Sequence, residues 1–131
     1  GLLTDRVFEY IGNFGKTLQR LSIAFAGGSD IGLQYVLRGC INLFKLEIRD
    51  SPFGDDALLV GTDRYESMRS LWMSNCRVTM QGCMTLAIQK RDQLAVEVMK
   101  VDGTEDLVES VYVYRSVSGH RNDMPPSVMI L

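Results

Sequence analysis

The chain repeats itself every 25 residues. LSIAFAG begins at Leu21, LEIRDSP at Leu46 and LWMSNCR at Leu71, and VEVMKVD opens at Val96 in the same frame. A fixed period in the twenties, with apolar residues three and then two apart, is the mark of a leucine-rich repeat solenoid. The predicted fold class is therefore α/β, with parallel strands on the concave face, helices on the convex face and a core shared between successive units. Such an architecture presents a long binding surface and points to recognition rather than catalysis.

The period gives each position a task. Residues two apart on a strand share a face, so Leu21 and Ile23, Leu46 and Ile48, Leu71 and Met73, and Val96 and Val98 point inward. Leu18, Leu43 and Met68 precede them by three and extend the apolar ladder. Phe8, Leu33, Leu58 and Cys83 also fall one period apart and should pack on the backs of the strands. Thr4, Ser29, Gly54 and Thr79 stand in one frame ahead of the helices, where such residues cap an N-terminus or tolerate the turn. Ala26, Ser51, Cys76 and Val101 occupy the frame in which an Asn or Cys satisfies turn backbone. The cysteines Cys40, Cys76 and Cys83 have neither CxxC spacing nor a histidine cluster, and read as buried structural thiols.

Between the inward residues lie those of the concave surface: Arg20, Ser22 and Ala24; Lys45, Glu47 and Arg49; Ser70, Trp72 and Ser74; and Glu97. Two readings of its cations stand. Arg20, Lys45 and Arg49, with Arg69 at the start of the third strand, suit a multiply charged anion. Spacing alone favours the simpler alternative, a solvated face paired with Glu47 and Glu97. Trp72 is an outward interaction anchor or a cover for its neighbours, and Phe25 lines a pocket or fills the turn above the core. The net charge of −2 excludes a generally basic nucleic-acid binder. His120 has no paired nucleophile, and no catalytic triad, phosphate-cradling glycine loop or metal-ligand set is present, so the expected role is non-catalytic.

Residues 1–102 form about four repeats by this reading, and residues 103–131 a C-terminal capping segment. ESVYVYRSV alternates like an edge strand, and Pro125 and Pro126 make the following stretch extended. The helix near Gly1 follows no polar capping unit, so the first repeat should leave Phe8, Leu18, Leu21 and Ile23 open on one side. The chain thus reads as the C-terminal piece of a longer array. Neither a membrane span nor a signal peptide is apparent in it, which favours a soluble intracellular protein.

The segments LSIAFAGGSDIGLQYVLRGC, LFKLEIRDSPFGDDALL and YESMRSLWMSNCRVTMQGC closely resemble the last leucine-rich repeats of the plant auxin-receptor F-box proteins. The resemblance runs from GLLTDRVFEYIG to VYVYRSVSGHRNDMP, and LEIRDSPFGD with MRSLWMS is specific to that group. It implies a substrate-recognition subunit of an SCF-type ubiquitin ligase, located in the nucleus. There the solenoid would bind auxin beneath the degron of Aux/IAA repressors, above a structural inositol hexakisphosphate. A Skp-type adaptor and cullin would join through an F-box that this sequence does not contain. Carried over by motif, Ser22, Ala24, Phe25, Glu47 and Arg49 would line the auxin and degron pocket, and Lys45 and Arg69 would bind the inositol phosphate. The resemblance tips those two cations toward the anion site, and gives Arg20 and Trp72 no definite role. The alternative is a truncated, stand-alone leucine-rich-repeat interaction module without hormone sensing.

Overall fold

The computed structural model of the chain describes residues 4–59, 65–90, 93–104, 107–115 and 128–130. Helices and strands alternate as α1 (Asp5–Phe14), β1 (Arg20–Ala24), α2 (Asp30–Gly39), β2 (Lys45–Arg49), α3 (Asp55–Leu59), β3 (Ser70–Ser74), α4 (Met80–Gln89) and β4 (Ala95–Thr104). β5 (Leu107–Arg115) and β6 (Val128–Ile130) follow. The strands form one sheet in chain order, with β1 to β4 parallel, β5 antiparallel to β4, and β6 parallel to β5. Register steps by one sequence period: Leu21 is level with Leu46, Leu46 with Leu71, and Leu71 with Val96. This is the leucine-rich repeat solenoid that the period predicts.

The core fills the space between sheet and helices. Leu46, Leu71 and Val96 are buried on one row, Ile48, Met73 and Val98 on the next, and Phe8, Leu33, Leu58 and Cys83 close the helical side. Each large apolar side chain removed from water in this way contributes roughly 1.5–3 kcal/mol, which is what holds neighbouring units together. The opening expected at the first repeat is narrower than the sequence suggests. Leu18 and Leu21 are half-buried, but Phe8 and Ile23 are buried. Phe8 is covered from the following repeats, meeting Phe53 edge to face with ring centroids 5.5 Å apart.

Helix starts are secured across repeats more than within them. Thr79 alone of the three capping hydroxyls bonds its own helix, accepting from Gly82 N at 3.1 Å; those of Thr4 and Ser29 make no such bond. Instead the first residue of each of α1, α2 and α3 reaches forward by one repeat. Asp5 accepts from Gly28 N, Ser29 N and Ser29 Oγ at 2.9, 3.3 and 2.7 Å. Asp30 accepts from Gly54 N at 2.7 Å, and Asp55 from Thr79 N at 2.8 Å and from the Thr79 hydroxyl. The fourth position of this ladder is Met80, and the strand that follows α4 enters a hairpin instead of another helix.

The turns leaving β1, β2 and β3 pass through Phe25, Asp50 and Asn75, with φ of 53°, 48° and 53°. Asp and Asn tolerate this left-handed region, whereas a phenylalanine is costly there, on the order of 1–2 kcal/mol. The sheet holds it: Phe25 N donates to Arg49 O at 3.1 Å, as Asp50 N does to Ser74 O at 2.9 Å. On the convex side α1 and α2 touch backbone to backbone, since a Cβ on Gly39 would collide with the carbonyl of Gly12.

One expectation for the C-terminal part changes. The ESVYVYRSV strand is not the edge, because β6 pairs outside β5. β4 runs on to Thr104, twice the length of the strands before it, since β5 takes up the hydrogen bonds of its extension. The stretch predicted as extended falls largely in residues 116–127, outside the described residues.

Candidate functional site

Parallel strands about 4.8 Å apart turn the period into rows across the concave face. Arg20, Lys45, Ser70 and Ala95 form the first row; Ser22, Glu47, Trp72 and Glu97 the second; Ala24, Arg49, Ser74 and Met99 the third. Ser22, Lys45, Glu47, Arg49, Ser70, Trp72 and Glu97 line one hollow of about 450 Å³. Lys45 Nζ lies 3.0 Å from Glu47 Oε1, with the two side chains 43% and 38% exposed. Solvent screens a pair this open, so it sets the local charge pattern more than it stabilises the fold. Trp72 is half-buried between the two glutamate positions, lying against the wall of the hollow.

A second hollow, of about 730 Å³, lies on the upper rim, where strands end and helices begin. Phe25, Asp50, Asn75 and Arg77 contribute to its lining, and Asn75 Nδ2 donates to Asp50 Oδ1 at 2.8 Å. Phe25 is 62% exposed, so of the two sequence readings it takes the pocket-lining one. The two hollows adjoin along the chain, because Ala24 leads into Phe25 and Arg49 into Asp50. The pocket residues implied by resemblance therefore divide: Ser22, Glu47 and Arg49 line the concave hollow, Phe25 the rim hollow, and Ala24 stands in the row beside Arg49.

Lys45 and Arg69 face different spaces. Lys45 lines the concave hollow, whereas Arg69 lines a third hollow of about 600 Å³ on the lower rim, where helices end and strands begin. There Arg69 Nη1 donates to the carbonyls of Glu66 and Met68, each at 3.0 Å. The two cations remain close in the sheet, since Ser70, directly after Arg69, is level with Lys45. Arg20 is exposed at the head of the first row.

The remaining residues singled out by sequence are structural or lie elsewhere. Burial pushes the thiols of Cys40 and Cys76 above their ordinary range, which makes both poor nucleophiles. Cys76 Sγ donates to Ser74 O at 3.5 Å, matching the bond of Ser51 Oγ to Arg49 O at 2.8 Å one repeat earlier. Ser51 Oγ also accepts from Ala26 N at 3.3 Å, so the frame does satisfy the turn. His120 lies outside the described residues. Among the described residues no set of His, Cys, Asp and Glu could hold a metal ion, and no helix is long and apolar enough to cross a membrane. Sequence reasoning missed Asp50, Asn75 and Arg77 on the upper rim and Phe44 on the lower, although the period that located Phe25 and Arg69 also locates them.

No protein-family model matches the chain. It is 53% identical to a Transport inhibitor response 1-like protein of Oryza sativa subsp. japonica, over 95% of the chain and 23% of that protein. It is 49% identical to F-box protein FBX14 of Arabidopsis thaliana over 100% of the chain and 22% of that protein. Coronatine-insensitive protein 1 of Arabidopsis thaliana is more distant, at 30% over 100% of the chain and 24% of that protein. The chain spans under a quarter of the length of these curated relatives. Its sheet register, its rows of concave side chains and this level of identity lead to one conclusion: the chain belongs to the plant Transport inhibitor response 1-like F-box proteins, as a C-terminal leucine-rich-repeat segment.

Proposed function

We propose that the protein carrying this segment is an auxin receptor, the substrate-recognition subunit of an SCF-type ubiquitin ligase that captures Aux/IAA repressors in the presence of auxin. The observation that carries this reading is the convergence of Ser22, Glu47 and Arg49 on one concave hollow, with Phe25 on the adjoining rim. The gradient of identity supports the auxin branch, since the Transport inhibitor response 1-like relatives stand at 53% and 50% and the coronatine-insensitive ones at 30% to 33%. The segment supplies one wall of the site. Its task is recognition and not bond making: Arg49 and Glu47 offer charged groups for a polar ligand or degron backbone, while Phe25 offers an apolar face to the peptide.

The cations complete the proposal. Lys45 and Arg69 would hold inositol hexakisphosphate in the complete receptor, where polyanion contacts are strong because each is charge-assisted. Adaptor and cullin would be recruited through an F-box elsewhere in the protein, and the site of action would be the nucleus. The test is capture of a labelled Aux/IAA degron peptide by the complete receptor with and without auxin. Auxin-dependent capture that is lost in Arg49→Ala supports the reading. Capture indifferent to auxin would replace it with the stand-alone interaction module.

A further inference from the structure

Charge is unevenly divided between the two rims. Asp5, Asp30, Asp50, Asp55 and Asp56 gather on the upper rim, at helix starts and strand ends, with Arg77 as a cation beside them. The lower rim carries Lys16, Arg20, Arg38, Arg69 and Lys90, with Glu66 as the anion among its described residues. Within the same connections the sequence adds Asp63, Arg64, Arg91 and Asp92, whose charges sum to zero. The lower rim is therefore a basic strip on a chain whose net charge is −2.

Two large apolar side chains stand exposed on the α2–β2 connection of that strip: Ile41 at 53% and Phe44 at 49%. Phe44 is fixed from both sides by the sheet. Its N–H donates to Gln19 O at 2.6 Å, and its carbonyl accepts from Arg69 N at 2.9 Å and Ser70 N at 3.2 Å. The ring thus lines the lower-rim hollow beside Arg69, on a backbone that ordering by a partner need not rearrange. Asn42 Nδ2 donates to Lys16 O at 2.7 Å and ties the Lys16 turn to the same place. Apolar anchors on a pre-set backbone, rimmed by cations, are the composition of a protein interface rather than of a solvated edge.

We infer that this lower rim is a docking surface for an acidic protein segment that carries apolar side chains, with Phe44 and Ile41 taking the apolar groups and Lys16 and its neighbouring cations the carboxylates. The exposed apolar pair selects a peptide over an inorganic polyanion, which has nothing to place on Phe44. The surface lies at the opposite end of the strands from the Phe25 hollow, so it is separable from hormone-dependent capture. Arg69 is common to this surface and the proposed phosphate site and is left intact in the test.

The test uses the complete receptor, without auxin, and two fluorescent peptides, Glu-Asp-Leu-Glu-Asp-Phe-Glu-Asp and the same peptide with serine for Leu and Phe. The first should bind and the second should bind at least several-fold more weakly. Phe44→Ser and Lys16→Glu, both at exposed positions, should each weaken the first peptide several-fold, while Ile31→Ser, exposed on α2 away from this rim, should leave it unchanged. Equal binding of both peptides, indifference to Phe44→Ser and Lys16→Glu, no binding at all, or full displacement by tripolyphosphate with Phe44→Ser silent would each overturn the inference. Loss of auxin-dependent capture in Arg49→Ala without change here would leave it standing.

Discussion

The carboxylate of Glu47 lies 3.0 Å from the ammonium of Lys45, two residues back on the same face of β2. The proposed hormone-pocket residue is therefore also the counter-ion of the proposed phosphate ligand. An anion approaching Lys45 must compete with Glu47 or displace it. Because the pair is open to solvent, its worth is about 0–1 kcal/mol, and its removal should be nearly silent for stability. Glu47→Gln in the complete receptor should then tighten inositol hexakisphosphate binding, by up to roughly five-fold if the full 1 kcal/mol is released. Weaker binding in calorimetry at constant salt would contradict the counter-ion role.

Lys45→Glu and Arg69→Glu should each reduce the inositol hexakisphosphate retained by the purified receptor and its auxin-dependent degron capture. Each change replaces attraction by repulsion toward a highly charged ligand. Arg6→Glu, exposed on α1, serves as the control and should have little effect. Ionic strength must be matched, since exposed charges are screened over about 8–10 Å. Retention of both activities at wild-type levels would return the concave cations to a solvated face.

Asp5 makes stability depend on acid. Partial burial pushes the Asp5 pKa up, but the hydrogen bonds from Gly28 N, Ser29 Oγ and Ser29 N outweigh it and hold the carboxyl below its ordinary value. The folded-state value is depressed, so the stabilisation is complete above about pH 4, the unfolded value, and is lost as pH falls through the folded one. Urea melts between pH 7 and pH 2.5 should show Asp5→Asn less stable at neutral pH and less sensitive to acid. Asp55→Ala removes acceptors of the Thr79 N–H and hydroxyl and should cost about 1–3 kcal/mol.

Close helix approach at α1 and α2 predicts a sharp contrast between two glycines. Gly39→Ala drives a methyl into the Gly12 carbonyl, a backbone atom that cannot rotate away, and should destabilise by about 1–3 kcal/mol or more. At Gly28 the nearest atom to a new Cβ is Asp5 Oδ2 at 3.6 Å, ordinary contact, so Gly28→Ala should be close to neutral. Thermal melts of the two variants side by side would check the helix spacing.

The 131-residue chain alone should not bind auxin measurably, because one wall cannot enclose most of a small ligand. Calorimetry with auxin, with and without a degron peptide, is the measurement. Micromolar binding by this segment would mean that the pocket is assembled differently from the proposal.

The sequence by itself determined the repeat, its register and the membership of each face. A period of 25 residues that places Leu21, Leu46, Leu71 and Val96 in one frame leaves parallel strands little choice of pairing, because a slip by one residue would turn every apolar side chain to solvent. It also located the concave residues, including Ser22, Glu47 and Arg49, since alternation on a strand is local geometry. Only the tertiary structure decided what happens between rows and rims. That Lys45 pairs with Glu47, that Arg69 turns to the lower rim, and that Phe8 is closed by Phe53 depend on side-chain paths and on residues far away in sequence. The forward reach of Asp5, Asp30 and Asp55 to the next helix start was likewise invisible as a bond, although all three share a frame. Periodicity reports which positions are equivalent; distances and competing partners settle what each of them touches.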